Sequence, residues 1–234
     1  GINFNLFYLT ITGHIIQALK SEELRWYLGI IAASIGAITI CNLPIYGTVV
    51  HSFRYASFQV ATIISTTGFA TDNFDLWPTF SKMILVMLMF FGACAGSTGG
   101  GIKTARLVIM AKTISREIKR MLHPRSVAVV KAEGKPVDQT VIHGTAVFFM
   151  TYMGILGASI LLISLDGFDL VTSLTSVITC LNNVGPGLGL VGPRGNFADF
   201  SDFAKVILSA DMLLGRLEIF PIFMLFSPAI WRRN

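Results

Sequence analysis

Two stretches of 25 residues without Asp, Glu, Lys or Arg constrain this sequence more than any other feature. They cover residues 26–50 and 141–165. A helix rises ~1.5 Å per residue, so each stretch is long enough to cross an apolar layer about 30 Å thick. Only 13% of the 234 residues are charged, which leaves too little polar surface for a water-soluble protein of this size. The sequence therefore predicts an all-α membrane protein.

Each long span is followed by a short apolar segment that cannot cross such a layer. These segments cover residues 53–65 and 170–181, and each ends in a polar loop that contains glycine. Gly68 and Gly185 hold the same place in the two loops and lie 117 residues apart. A constant offset between similar segments predicts an internal duplication.

The chain accordingly divides into two similar units. We predict units over residues 21–122 and 139–234, joined by a basic loop (123–138). Glycines between 92 and 101 predict that the last helix of the first unit is broken. The second unit is expected to end in one continuous span over about residues 203–231.

The basic residues predict how these units lie in the membrane. Of the 18 lysines and arginines, thirteen fall on one predicted face and four on the other, while Arg216 falls inside a span. The richer face is expected to be cytoplasmic. Both short helices then re-enter from the outside, which places both glycine loops in the outer half of the membrane.

A short helix that returns through a glycine-bearing loop is typical of potassium-channel filters, where backbone carbonyls replace the water shell of the ion. Glycine at 68 and 185 permits the backbone angles that such a loop needs. Neither loop carries an acidic side chain, which leaves carbonyl dipoles as the candidate ligands. The alternative is that both loops are ordinary glycine and proline turns between helices. That alternative does not explain why a short apolar segment precedes the turn twice.

Five ordered motifs resemble the pore subunit of the Trk/Ktr/HKT potassium transporter superfamily, and they are closest to its TrkH branch. They are Ser65-Thr66-Thr67-Gly68-Phe69, Gly96-Ser97-Thr98-Gly99-Gly100-Gly101-Ile102-Lys103, His123-Pro124-Arg125, Asn182-Asn183-Val184-Gly185-Pro186-Gly187-Leu188-Gly189 and Leu213-Leu214-Gly215-Arg216-Leu217-Glu218. In that family four units, each a helix, a re-entrant pore helix, a filter loop and a helix, surround one pore. This chain is similar to the third and fourth units, and residues 1–20 resemble the tail of the second, with residues 123–138 as a cytoplasmic loop between the two. The resemblance therefore implies a missing N-terminal half with two further repeats.

The resemblance implies roles for individual residues. It assigns the potassium filter to Thr66, Thr67, Gly68, Asn183, Val184 and Gly185. It assigns an intramembrane gate to Gly96, Gly99, Gly100, Gly101, Lys103 and Arg216. The transported ion is then K⁺, and the sequence predicts no covalent cofactor.

Two of the gate residues have interpretations that rest on chemistry alone. An arginine inside a membrane span is costly, so Arg216 should face protein or water. Beneath a cation filter it would raise an electrostatic barrier; alternatively it forms a structural pair with Asp211 or Glu218 from another part of the fold. Lys103 either stabilises the unwound segment through carboxylates or carbonyls, or extends to the cytoplasm.

The expected partners follow from the basic stretch and from the resemblance. Lys112, Arg116, Lys119 and Arg120 fall mostly on one helix face, which suits anionic lipid of the bilayer. The resemblance adds a cytosolic nucleotide-binding ring of the TrkA type and a homodimer of pores. It also implies a multi-pass protein of the bacterial inner membrane. A nucleic-acid partner is not expected.

Potassium uptake by permeation is the predicted function. One alternative is a symporter that couples K⁺ to H⁺ or Na⁺, for which Asp211 and Glu218 are the candidate acids. Another is a membrane scaffold subunit that conducts nothing. An enzyme is not expected, since the sequence contains no acid–base or metal-ligand cluster.

Overall fold

The computed structural model describes residues 1–123 and 129–225, and this part of the chain is helical apart from one small hairpin. The helices are α1 (Phe4–Ile11), α2 (Ile15–Lys20), α3 (Glu22–Tyr46), α4 (Val49–Ile64), α5 (Thr79–Phe90), α6 (Thr104–Leu122), α7 (Gln139–Ile163), α8 (Leu170–Leu181), α9 (Asp202–Arg216) and α10 (Phe220–Leu225). Single 3₁₀ turns lie at Phe74–Leu76, Ser164–Asp166 and Gly189–Val191. The all-α prediction is confirmed.

The first long helix ends earlier than the uncharged stretch. Ser21 caps the start of α3, and its hydroxyl accepts the Leu24 amide at 3.4 Å. Gly47, with φ of 69°, ends the helix in a left-handed conformation that glycine adopts without strain. Thr48 then caps α4, which begins at Val49 rather than at residue 53. The prediction that 26–50 forms one span was therefore wrong at its end, although α4, at ~24 Å, is still too short to cross.

The predicted break in the next span is confirmed, because α5 ends at Phe90 and α6 begins at Thr104. We call residues 91–103 the glycine segment. Its two ends are held side by side: the Gly92 amide donates to the Ile102 carbonyl at 2.8 Å, and the Thr104 amide donates to the Ala93 carbonyl at 3.2 Å. The backbone freed by the break is thus hydrogen-bonded within the protein, as membrane depth requires.

The second unit begins as predicted and ends differently. Asp138 caps α7, and α8 covers the predicted residues 170–181. The expected continuous span over 203–231 is wrong, since α9 stops at Arg216 and α10 starts at Phe220. Glu218 and Ile219 have φ of 57° and 39°, values incompatible with a continuing right-handed helix. Residues 226–234, which include Arg232 and Arg233, lie outside the described residues.

Length and hydropathy single out two of the described helices as candidate membrane spans, Glu22–Tyr46 and Gln139–Asp166. The apolar helices α5 and α8 are shorter. In the linker between the units, β1 (Lys131–Ala132) pairs antiparallel with β2 (Lys135–Pro136), and Gly134, with φ of 77°, lies in the turn between them. Pro124 and Arg125 of the third family motif lie outside the described residues.

The core joins the two units. Fully buried apolar side chains come from α4, α5 and α8, among them Ile63, Leu85, Ile178 and Leu181. This packing brings the C-terminal ends of the two short helices, and the loops that follow them, into one region.

Candidate functional site

The two loops that follow the short helices have the same backbone conformation. Thr66 and Asn183, 117 residues apart, both have φ of 55°. Two residues later, Gly68 and Gly185 have φ of 81° and 111°. Positive φ at a non-glycine residue is uncommon, so its recurrence at the same offset reflects one shared local structure.

Hydrogen bonds within each loop repeat at the same offset. The Thr67 amide donates to the Thr62 carbonyl at 2.9 Å, and the Val184 amide donates to the Thr179 carbonyl at 2.9 Å. The Gly185 amide donates to the Thr179 hydroxyl oxygen, also at 2.9 Å. Each loop therefore turns its N–H groups back toward the end of its own helix.

The carbonyl oxygens of these loops are left unpaired. No hydrogen bond from residues 1–123 or 129–225 ends on the backbone oxygen of any member of the predicted filter set, namely Thr66, Thr67, Gly68, Asn183, Val184 and Gly185. Backbone oxygens are strong acceptors that normally find a partner. The C-terminal ends of α4 and α8 precede the loops, and the helix dipole there favours positive charge. The arrangement offers oxygen ligands and negative potential to a cation.

The two loops touch each other. A methyl group added at Gly68 would lie 2.3 Å from the Val184 carbonyl oxygen, and one added at Gly185 would lie 3.8 Å from the Gly68 Cα. Val184 itself is buried, 3% exposed, while Gly185 is exposed. The structure thus brings the two predicted filter triplets into contact along one edge.

The glycine segment lies directly against both loops. The Gly100 amide donates to the Thr66 hydroxyl oxygen at 3.2 Å. Methyl groups added at Gly100 and Gly101 would lie 2.4 Å from the Asn182 carbonyl oxygen and 2.8 Å from its Oδ1. Only residues without a Cβ allow this approach, which accounts for the glycines at these two positions.

Two cationic side chains bind carbonyls of the glycine segment. Lys103 is buried and donates to the Gly99 carbonyl, with the Ser97 carbonyl 3.4 Å away. Of the two roles considered for Lys103, the contacts therefore favour stabilisation of the unwound segment through its carbonyls over extension to the cytoplasm. Arg216 donates from Nη1 to the Thr98 carbonyl at 2.5 Å.

The structural ion pair considered for Arg216 is not what the fold forms. Glu218 instead pairs with Arg106, whose Nη2 lies 2.7 Å from its carboxylate. Asp211 instead accepts from the Ser159 hydroxyl at 2.8 Å. For Glu218 the reason is that α9 ends at Arg216. The positive φ of Glu218 takes the chain off the helix path, and its carboxylate reaches Arg106 of α6.

Two cavities flank the contact between loops and glycine segment. One, of about 400 Å³, is lined by Thr66 and Thr67 of the first predicted filter triplet and by all three residues of the second. The other, of about 330 Å³, is lined by the glycine segment together with Lys103, Arg216 and Glu218. Gly96 lies at the far edge of the segment, where its carbonyl accepts the Phe4 amide at 3.2 Å.

A polar cluster lies between the end of α3 and the segment that precedes α5. The Asp72 carboxylate accepts from the Tyr46 hydroxyl and from Trp77 Nε1, the latter at 3.3 Å. Burial raises the pKa of the Asp72 carboxyl, but the hydrogen bonds from Tyr46, the Asn73 amide and Trp77 outweigh it, so the net pKa is lowered. Asp75 ties the two units together, since its Oδ1 accepts the Gly189 amide at 3.1 Å.

Several residues at this site were missed in the sequence. Thr62 and Thr179 anchor the loops and were detectable, because they too lie 117 residues apart. Asn182 is fully buried and its Oδ1 accepts the Tyr152 hydroxyl at 3.0 Å. Glu23, on α3, accepts two amides near the glycine segment. Nothing in the local sequence marks these last contacts, which join residues far apart in the chain.

Comparisons with known proteins agree on one family. The family model for the cation transport protein TrkH matches residues 3–233. The Trk system potassium uptake protein TrkH of Salmonella typhimurium is 36% identical over 99% of this chain and 48% of its own length. The Trk system potassium uptake protein TrkI of Halomonas elongata is 31% identical over 100% of this chain and 48% of its own.

A solved structure agrees with the fold as well. The crystal structure of the potassium transporter TrkH from Vibrio parahaemolyticus superposes with a TM-score of 0.90 at 35% identity, over 98% of this chain and 50% of that one. The chain spans about half the length of the curated relatives it matches. The family resemblance drawn from the five motifs is confirmed: this chain belongs to the TrkH family of cation transport proteins.

Proposed function

We propose that this chain supplies two of the filter-bearing units of a potassium uptake pore. One observation carries the proposal: two loops at the same sequence offset meet, and each leaves three consecutive carbonyl oxygens without a donor from the described residues. Oxygens of this kind replace the hydration shell of K⁺. The names of the matched relatives, which are potassium uptake proteins, support the same ion.

Transport is then permeation without a covalent step. K⁺ sheds water at the carbonyls of Thr66, Thr67, Gly68, Asn183, Val184 and Gly185 and moves along its electrochemical gradient. The glycine segment, fastened to Thr66 through Gly100, obstructs the path on one side of the filter. Lys103 and Arg216 add positive charge there and repel the cation until the segment moves.

A complete pathway needs more than this chain. Two units cannot enclose an ion, so we propose that two further repeats from an N-terminal half complete the ring. Residues 21–122 and 139–234 are the proposed third and fourth units, with 1–20 and 123–138 as tail and cytoplasmic linker. We further propose a homodimer of such pores in the bacterial inner membrane, regulated by a TrkA-type nucleotide-binding ring at the cytoplasmic face.

Flux ratios in liposomes test the filter assignment. In the full-length protein, Gly68→Ser and Gly185→Ser are expected to reduce K⁺ over Na⁺ discrimination without lowering expression, because both place a side chain on a residue with positive φ among the ligands. Gly157→Ser is the matched control, since Gly157 lies in α7 with open space around its Cα. Unchanged flux ratios in both filter variants would count against the assignment.

One buried acid favours coupled symport as the second candidate. Asp211 is 2% exposed, and its Oδ2 has no hydrogen-bond partner among the described residues. Such a group could carry a proton or bind Na⁺. Currents that reverse at the K⁺ equilibrium potential at every pH and Na⁺ concentration would exclude coupling. A scaffold without a pore is disfavoured, because Gly68 and Gly185 lie in contact rather than far apart.

A further inference from the structure

The N-terminal turn of α3 reaches the glycine segment through a single carboxylate. Glu23 is half-buried, and its Oε1 accepts the Ala95 amide at 2.7 Å and the Ala105 amide at 3.0 Å. Ala95 lies inside the glycine segment, and Ala105 lies in the first turn of α6. One oxygen therefore bonds the chain on both sides of Gly96, Gly99, Gly100 and Gly101.

The Ala105 amide needs such a partner because of its place in α6. The first N–H groups of a helix have no acceptor within it, and Lys103, which precedes α6, makes no side-chain cap. A carboxylate at a helix N-terminus is stabilising, because it satisfies the orphan amides and interacts favourably with the dipole. Glu23 therefore serves α6 as a cap that comes from a different helix.

The linker between the two units is bonded to the same turn of α3. At the hairpin tip, Glu133 Oε1 accepts the Ser21 hydroxyl and the Glu22 amide, both at 2.9 Å, and the Glu23 amide at 3.3 Å. Lys112 of α6 pairs with Glu22 and donates to the Lys131 carbonyl at 2.7 Å. The hairpin, the start of α3 and α6 thus form one hydrogen-bonded cluster.

We propose that Glu23 is a positioning residue that holds both ends of the glycine segment in the observed conformation, and that Glu133 of the linker hairpin fixes the helix end that carries it. This inference rests on the proposed function only in treating the segment as a gate. A displacement of the hairpin would then loosen the segment without any contact between the hairpin and the filter.

Cysteine alkylation tests the inference without requiring transport. Cys94 adjoins Ala95 and is fully buried, whereas Cys180 is buried in α8 and makes no hydrogen bond to Glu23. The full-length protein in detergent is treated with N-ethylmaleimide, and modification of each cysteine is followed by mass spectrometry. Local release of the segment raises the rate at Cys94 relative to Cys180, whereas general loosening of the fold raises both.

Glu23→Ala is expected to raise the Cys94-to-Cys180 rate ratio about tenfold, because it removes two hydrogen bonds to a charged acceptor. Glu23→Gln keeps an acceptor oxygen and should retain most of the protection of Cys94, so that the rate ratio rises only about threefold above wild type. Glu117→Gln is the control, because Glu117 pairs with Arg116 and Arg120 of its own helix, α6, and the substitution should change nothing at Cys94. A ratio within about twofold of wild type in both Glu23 variants, or an equal rise in the control, overturns the proposal. If Glu23→Ala loosens the whole fold and raises both rates, the rate ratio of Glu23→Gln alone tests the proposal, by the same twofold limit.

A second experiment tests the role of the hairpin apart from that of the Glu23 carboxylate. A third tests the contact of Glu23 with the glycine segment, which we call the clamp, apart from the filter. Glu133→Ala should raise the same ratio about threefold; no change refutes the role given to the hairpin. In liposomes, Glu23→Ala should raise the basal K⁺ flux while leaving the K⁺ to Na⁺ flux ratio at the wild-type value. If labelling changes as expected but neither the wild type nor any variant conducts, the pore assignment is refuted and the clamp stands. If labelling is unchanged and conduction is normal, the clamp is refuted and the pore assignment stands.

Discussion

The contact between α8 and α9 gives the sharpest test of the structure near the second loop. A methyl group added at Gly215 would lie 1.7 Å from the Leu181 carbonyl oxygen and 3.0 Å from Asn183 Nδ2. Ordinary van der Waals contact begins near 3.4 Å, so Gly215→Ala must move the two helices away from each other by about 1.7 Å. The same movement stretches the bond between Asn183 Nδ2 and the Met212 carbonyl, now 3.1 Å.

Overpacking of this kind costs about 1–3 kcal/mol. For a chain of this size each kcal/mol corresponds to about 2–4 °C in melting temperature, and the shift is smaller in the longer full-length protein, so the variant should melt below wild type by at most about 12 °C. Because Asn183 belongs to the proposed filter, the K⁺ to Na⁺ flux ratio should fall as well.

Fluorescence-detected gel filtration after heating, on full-length protein in detergent, measures the melting temperature. Gly157→Ala is the control, since Gly157 has no neighbour within 4 Å of the added carbon and lies inside α7, where alanine favours the helix. If Gly215→Ala melts at the wild-type temperature, the close approach of the two helices is not as the structure has it. If it melts lower but keeps the flux ratio, Asn183 is not positioned by α9.

Three more variants test neighbouring contacts in the same assays. Thr66→Val removes the acceptor of the Gly100 amide while keeping the size, so basal flux should rise severalfold, whereas Thr66→Ser should behave as wild type. Asp72→Asn should lower the melting temperature at neutral pH; because the folded pKa of this carboxyl is below its unfolded value of 3.8, its contribution is present above about pH 4 and is lost as pH falls further, where the two proteins should melt together. Arg216→Gln weakens the bond to the Thr98 carbonyl and removes a positive charge, so basal K⁺ flux should increase, and an unchanged flux would remove Arg216 from the gate.

Much of the fold was predictable because its signals are local. The lengths of the uncharged stretches predict α3 and α7, and the density of glycine predicts the interruption between α5 and α6. The offset of 117 residues places Thr66 and Asn183 at equivalent positions, and their equal φ of 55° agrees with it. What failed locally was the break after Arg216, since neither Glu218 nor Ile219 is a residue type that marks a positive φ.

The sequence by itself determined that two short helices end in glycine loops and that a glycine-rich interruption follows the first of them. Those features depend on span length, on missing charge and on residues without a Cβ, and each can be recognised within a short window. Which groups meet was decided by the tertiary structure alone: Gly100 with Thr66, Arg216 with Thr98, and Glu23 with both ends of the glycine segment. These pairs are separated by 34 to 118 residues, and a hydrogen bond at that separation exists only because packing of the helices has already fixed both partners within about 3 Å.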